Sequence, residues 1–287
     1  MSNLNIDIYY MNIKIHSISL LGKRDKNEDE LDIINNMNNL NNEYFNCLYT
    51  SVCDGHGGDK ISKYLKSKLS NYIIHKDSEE LRETKDYSKY IIKIFENIQK
   101  ELINNNVKAN SMGSTSLITI LYQKKNRYLL KVINLGDCRS ILCNRYNICV
   151  QLTKDHKPDK PDEIIRIEKL GGIIEYSKDD DPRISGLSVS RCFGDLDCKY
   201  ISQLPDIFDY DIKDEKFIIL GCDGLWDVLS NQDVVDFIIK ELWKIKDLKD
   251  YTNKSLNNIA YKLGEYAISK GSLDNISIII IFLINNL

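Results

Sequence analysis

The spacing of apolar positions along this chain changes several times, and each change predicts an element. Lys14 to Leu21 reads as a strand, and Leu31 to Ile34 resumes strand character after a charged stretch from Gly22 to Glu30. An apolar run from Tyr44 to Val52 ends at Cys53-Asp54-Gly55-His56-Gly57-Gly58 and opens onto a helix predicted over Lys60 to Ile74, with Ile61, Leu65 and Leu69 recurring every fourth residue. Ile91, Phe95, Ile98 and Leu102 give a second helix with one buried face. The period then shortens to that of strands, over Ser114–Tyr122, Tyr128–Leu135, Arg139–Leu142 and Ile148–Leu152, broken by turn residues at Lys124–Asn126, Gly136-Asp137 and Asn144-Arg145. A helix follows from about Asp162 to Leu170, with Gly171 suited to cap it. Phe217 to Cys222 is apolar almost throughout. Ser230 and Asp233 form a capping box that starts a helix running to about Ile245, and another helix spans roughly Ser255 to Ser269, with Leu256, Ile259, Leu263 and Ala267 on one face. Ile276 to Ile284 is apolar almost throughout, which suits a strand covered on both sides.

Between these elements lie polar stretches. Asn35 to Asn42 is low in complexity and predicted to be a loop between paired strands; His75 to Asp86 reads as a surface connection. Asp179-Asp180-Asp181-Pro182 is an acidic, turn-prone loop, the expected mobile segment of the core, where solvated carboxylates are more common than a metal site.

Composition narrows the class. The chain has 287 residues, 43% hydrophobic and 28% charged, ample for one large compact domain, its core then at about 13–284, or for two small ones. A net charge of -3, a pI near 5.9 and the lack of a long basic run argue against nucleic acid as a partner. The first twenty residues make neither a signal peptide nor a transmembrane span, and Ser2 removes the myristoylation signal. No membrane association is expected. The 8 cysteines include no C-x-x-C pair and several sit in apolar runs, which predicts buried free thiols in a reducing compartment, the cytoplasm with the nucleus as an alternative. None has Arg six positions later, so a cysteine-nucleophile phosphatase loop is absent.

Candidate chemistry gathers at three corners. Taken alone, Asp54-Gly55 is a hairpin turn with a solvated histidine beside it. Yet Asp223 in Asp223-Gly224 and Asp274 in Asp274-Asn275 repeat the arrangement, the first two aspartates after apolar strands and the third before one. Like charges brought together raise one another's pKa, and a divalent cation relieves the repulsion. All-oxygen ligands select Mg²⁺ or Mn²⁺, while four histidines without His-x-x-x-His spacing disfavour zinc. Glu28-Asp29 offers further carboxylates, and Arg24 a grip for a phosphate dianion. Asp137 is either a turn former or another site carboxylate. His156, in Asp155-His156-Lys157-Pro158, reads as structural.

From Gly22 to Phe282 the chain resembles the metal-dependent serine/threonine protein phosphatases of type 2C. The resemblance rests on nine motifs in order: Arg24-x-x-x-Glu28-Asp29, Val52 to Gly58, Gly113-Ser114-Thr115, Leu135 to Arg139, Asp155 to Pro158, Gly171-Gly172, Leu187 to Asp195, Cys222 to Asp227 and Gly271 to Asn275. It implies an α+β fold, a four-layer α-β-β-α sandwich of two central antiparallel sheets flanked by helix pairs. It also implies that Asp54 bridges two Mg²⁺ or Mn²⁺ ions, that the Gly55 carbonyl ligates one, and that Asp223 and Asp274 hold the other. Glu28 would bind through the second ion or its water, Asp29 would orient waters, and Asp137 with Asp223 would hold a weak third ion. Arg24 would bind the substrate phosphate and His56 would act as general acid. Attack by a water bridging the two ions would hydrolyse phosphoserine or phosphothreonine in protein substrates, with the enzyme a monomer.

Two features depart from the family pattern. The Asn-rich stretch looks like an insertion, and the segment between Gly172 and Leu187, which corresponds to a flap beside the cleft, is short. Against the enzyme stand two other readings: a catalytically inactive binding or regulatory protein on the same fold, and a phosphohydrolase of small esters, which would show a narrow pocket. No Gly-x-x-x-x-Gly-Lys-Ser/Thr or His-Arg-Asp loop supports a kinase or nucleotide hydrolase.

Overall fold

The computed structural model describes residues 12–35, 45–74, 87–104, 109–124, 127–178 and 180–287. The Asn-rich stretch beyond Asn35 and the expected surface connection at 75–86 lie outside them. Period-two sequence becomes two five-stranded antiparallel sheets. One runs β13 (Asp206–Ile212), β7 (Arg127–Leu135), β6 (Ser116–Lys124), β3 (Phe45–Cys53) and β2 (Glu30–Ile34). The other runs β1 (Ile13–Leu20), β15 (Ile276–Leu283), β14 (Phe217–Gly221), β8 (Arg139–Cys143) and β9 (Cys149–Gln151).

Alternate side chains of each inner strand point to opposite faces, and both faces are apolar. In β15, Ile279, Ile281 and Leu283 meet Leu130 and Val132 of β7 in a layer between the sheets. Ile276, Ile278, Ile280 and Phe282 face the other way, onto α5 (Asn231–Leu242) and α6 (Ile259–Ser269). Across the molecule, Ile118 and Ile120 of β6 face α1 (Lys60–Ile74) and α2 (Tyr87–Asn104), whose Ile61, Leu65, Ile91, Phe95 and Ile98 are fully buried. Three apolar layers thus separate four layers of structure, the α-β-β-α sandwich expected. No helix of the described residues is long and apolar enough to cross a membrane.

Several boundaries differ from the sequence pattern. The 255–269 helix begins at Ile259, because the Asn258 side chain accepts from Tyr261 N and so caps it there, leaving Leu256 80% exposed. The predicted capping box of Ser230 and Asp233 is present, but α5 ends at Leu242 and Trp243 lies exposed. The strand predicted from Ser114 is two: β5 (Gly113–Ser114) stops at Thr115, and β6 starts at Ser116. The acidic loop is half of a hairpin, β10 (Glu175–Ser177) with β11 (Asp180–Arg183). Its charges are met locally: Asp180 pairs with Arg183 and Asp181 with Lys157, both at 2.7 Å. Asp179 lies outside the described residues. That hairpin and α3 (Pro161–Lys169) sit over a small core of Ile167, Ile184, Val189, Cys192 and Ile201.

Candidate active site

The strands deliver the predicted carboxylates to one end of the sandwich. Asp54 follows β3, Asp137 lies in the turn from β7 to β8, Asp223 opens the short helix α4 (Asp223–Trp226) after β14, and Asp274 precedes β15. Two of these strands belong to one sheet and three to the other, so the site straddles both. Arg24, Glu28, Asp54, Gly55, His56, Asp137, Asp223 and Asp274 all line one cleft of about 650 Å³, as do Arg183 and Gly186 of the segment between Gly172 and Leu187. Asp29, the remaining predicted residue, is 6% exposed and lines no part of the cleft.

The backbone around Asp54 is held by Thr115, whose hydroxyl accepts from Asp54 N at 3.1 Å while its N–H donates to Asp54 O at 2.8 Å. Gly55 is needed for a close approach: a Cβ there would stand 2.5 Å from the Glu28 carbonyl oxygen. That same oxygen accepts from the Ser62 hydroxyl on α1 at 2.5 Å. The Gly136-Asp137 turn is fastened by His156, whose Nδ1 accepts from Gly136 N at 3.0 Å and whose N–H donates to Gly136 O at 3.0 Å. His156 is 3% exposed. It supports the site and does not face substrate.

Sequence reasoning gave no role to Asn275, yet its side chain joins three loops. Its Oδ1 accepts from Glu28 N at 2.9 Å, and its Nδ2 donates to Leu21 O at 2.8 Å and Lys26 O at 2.9 Å. The loop carrying Arg24 and Glu28 is thereby tied to the corner carrying Asp274. Its position directly after a candidate ligand was the one signal available.

Electrostatically the floor is crowded with acid, offset only in part by Lys157, whose Nζ stands 3.9 Å from Asp137 Oδ2, and by Arg24. Burial, then the neighbouring Asp223, Asp29, Asp137 and Asp274 carboxylates, push Asp54 well above the usual carboxylate range. Burial and Asp223 do the same to Asp137. Asp29 is pushed up to about 7 and Asp223 to about 6, burial again being the larger cause. Asp29 Oδ2 and Asp137 Oδ2 are buried with no hydrogen-bond partner. Oxygen atoms of Asp54 and Asp223 lie within 4.8 Å of one another. Clustered carboxylates with orphaned oxygens fit hard divalent cations, which would return them to the ionised form. Arg24 Nη2 contacts Asp274 Oδ2 at 2.6 Å, and the Arg24 side chain is 59% exposed. His56, 29% exposed, bonds through Nε2 to Asp195 Oδ2 at 2.5 Å.

Comparison with known proteins points one way. A family model described as Protein phosphatase 2C matches residues 13–276. Protein phosphatase 1L of Bos taurus is 30% identical over 94% of this chain and 72% of its own length. A PP2C-like domain-containing protein of Acanthamoeba polyphaga mimivirus is 42% identical over 55% of the chain and 97% of its own. In structure, a serine-threonine phosphatase 2C from Toxoplasma gondii superposes with a TM-score of 0.76 at 24% identity, covering 94% of both chains.

Proposed function

The chain belongs to the protein phosphatase 2C family and is a protein-serine/threonine phosphatase, and from that premise we propose that it removes phosphate from phosphoserine and phosphothreonine by direct attack of water. The observation that carries this reading is the convergence of four aspartates, Glu28, Arg24 and His56 on one cleft. Asp54, the Gly55 carbonyl, Asp223, Asp274 and Glu28 are the groups that would hold two divalent ions, Mg²⁺ or Mn²⁺, with Asp137 beside Asp223 for a weaker third. Such ions, when bound, bring the pKa of water toward neutrality and offset phosphoryl charge.

The chain's own residues supply the remainder. Arg24 exchanges its Asp274 partner for two phosphoryl oxygens, a bidentate contact that an exposed guanidinium can make without unfolding anything. Asp29, beneath the floor, orients water. His56 protonates the departing serine or threonine oxygen, a contribution of roughly 10²–10⁴-fold. No covalent phosphoenzyme is required, in keeping with six buried thiols. Exposed Arg24, Asp25 and Lys26 line the cleft together with Arg183, which is held by Asp180. The eight free thiols favour a reducing compartment.

Phosphate release from a phosphothreonine peptide, with Mn²⁺ or Mg²⁺ and then with EDTA, is the test. Metal-dependent release is expected, and Asp54→Asn should abolish it in a folded protein. Silence with either metal would move the weight to an inactive, binding role; near-normal turnover by Asp54→Asn would remove the metal assignment.

A further inference from the structure

Asp195 has no place in the ligand set or in the phosphate grip, yet the fold commits unusual local structure to it. It is 4% exposed and sits at φ 47°, a left-handed conformation that Asp tolerates better than most side chains. Its backbone is pinned on both sides. Asp195 N donates to Met112 O at 3.0 Å, and Asp195 O accepts from Cys198 N at 2.9 Å. The preceding residue, Gly194, is clamped by Gln99 of α2, which donates to Gly194 O and accepts from Gly194 N. The carboxylate that emerges receives the Cys192 thiol at 3.1 Å and His56 Nε2 at 2.5 Å, both on Oδ2. Gly113 keeps this space open, since a Cβ there would fall 2.2 Å from Asp195 Oδ2 and 2.3 Å from His56 Nε2.

We propose that Asp195 is a positioning residue for His56: it accepts the Nε2–H, fixes the ring plane and tautomer, and leaves Nδ1 as the nitrogen that faces the leaving oxygen. The inference rests on the general-acid reading of His56 and deepens it. During hydrolysis the P–O bond breaks with its electron pair on the serine or threonine oxygen, and that oxygen takes the proton from Nδ1. The ring that remains is neutral with its proton on Nε2, the tautomer that Asp195 holds. The water consumed in the reaction supplies the proton that recharges Nδ1. A carboxylate behind an imidazole in this way raises the chance that the ring meets its partner in reactive geometry, as in other histidine acids and bases. His56, Cys192 and Asp195 also present a nitrogen, a sulfur and an oxygen close enough to hold a metal ion. However, a 2.5 Å separation of Nε2 and Oδ2 is that of a hydrogen bond, shorter than two atoms each about 2.0–2.1 Å from one zinc adopt in a tetrahedral site.

The test compares two substrates in the Mn²⁺-loaded enzyme: a phosphothreonine peptide, whose alkoxide needs a proton, and an aryl phosphate, whose leaving group needs little. His56→Ala is measured first and should lose at least tenfold more kcat on the peptide than on the aryl ester. Asp195→Asn, which suits the left-handed backbone, and Asp195→Gly, which suits it and removes the acceptor, should show the same selective loss in kcat with KM little changed. Added to His56→Ala, either should cost nothing more. If His56→Ala is selective and the Asp195 variants lose equally on both substrates, or on neither, Asp195 is structural and the inference falls. If His56→Ala itself loses equally on both, the acid reading fails and Asp195 has no reaction to serve. Full peptide turnover in Asp195→Gly would overturn the proposal outright.

Discussion

At the scale of single residues, the site depends on side chains whose bonds run to distant parts of the chain. Asn275 satisfies one backbone donor and two carbonyls of the loop at 21–28. Asn275→Ala leaves those groups unpaired and should destabilise the protein by about 2–4 kcal/mol, with weaker Mn²⁺ affinity, read by denaturant melts and metal titration. Unchanged affinity would separate the loop from ion binding. His16 makes a second residue-scale case. Its Nδ1 accepts from Ile259 N at 2.9 Å and its Nε2 donates to Lys249 O at 2.7 Å, so the ring must be neutral. Burial lowers its pKa to about 4. Between pH 6.5 and 4 the unfolded chain takes up this proton and the native protein does not, so His16 makes stability fall as pH falls through that window, by about 3 kcal/mol at most. His16→Gln should be less stable at pH 7 and should lose less on acidification; parallel pH curves would contradict the assignment. The corner aspartates were legible because each stands next to a glycine or asparagine at the edge of an apolar run. Asn275, His16 and Asp195 were not, since their partners lie 247, 243 and 139 residues away in sequence.

At the scale of elements, local signals succeeded where the deciding interaction is local. The Ser230 hydroxyl accepts from Asp233 N at 3.2 Å and the Asp233 carboxylate accepts from Ser230 N at 3.2 Å, both within one turn. Ser230→Ala should cost about 1 kcal/mol in thermal melts without changing turnover, because the capped end of α5 does not line the cleft. A loss of activity larger than the loss of stability would place α5 in the site. Apolar periodicity located α6 but not its start, because Asn258 also donates to Ser17 O at 2.9 Å, which pins the cap to β1, and to Asn253 O at 2.7 Å in the preceding loop. The ribbon that carries His56 escaped notice for the same reason. Gly55–His56, Gly113–Ser114 and Phe193–Gly194 pair as three short strands drawn from distant parts of the chain, and two-residue strands have no period to read.

At the scale of the whole molecule, the carboxylate floor sets two sheets against each other. Asp54 and Asp223 belong to opposite sheets, and burial holds Asp29 and Asp223 at about 7 and 6 when no ion is bound. Native carboxylates that keep their protons above the ordinary carboxylate pKa make metal-free stability fall as pH rises from about 4 to 7. A divalent ion reverses this. At a hundred times its Kd it should stabilise the protein by about 2.7 kcal/mol, and EDTA should remove that gain. In EDTA at pH 8, Asp54→Asn should melt a few degrees above the unsubstituted protein, since about 1 kcal/mol corresponds to roughly 2–4 °C in a chain of this size. The same variant should show little response to Mn²⁺. A lower melting temperature in EDTA would mean that the floor is not under charge strain.

The order of strands has a further consequence, for synthesis. The sheet formed by β13, β7, β6, β3 and β2 is complete by Ile212. Its counterpart places β15 between β1 and β14, and β15 follows every other strand in the chain, with all eight of its residues buried. While a ribosome is still translating, β1 and β14 have no neighbour to share, and their apolar faces stay open for chaperones or for each other's wrong partners. Asp274 arrives only two residues before that strand. A nascent chain therefore acquires Asp274 and its closed sheet in the same few moments.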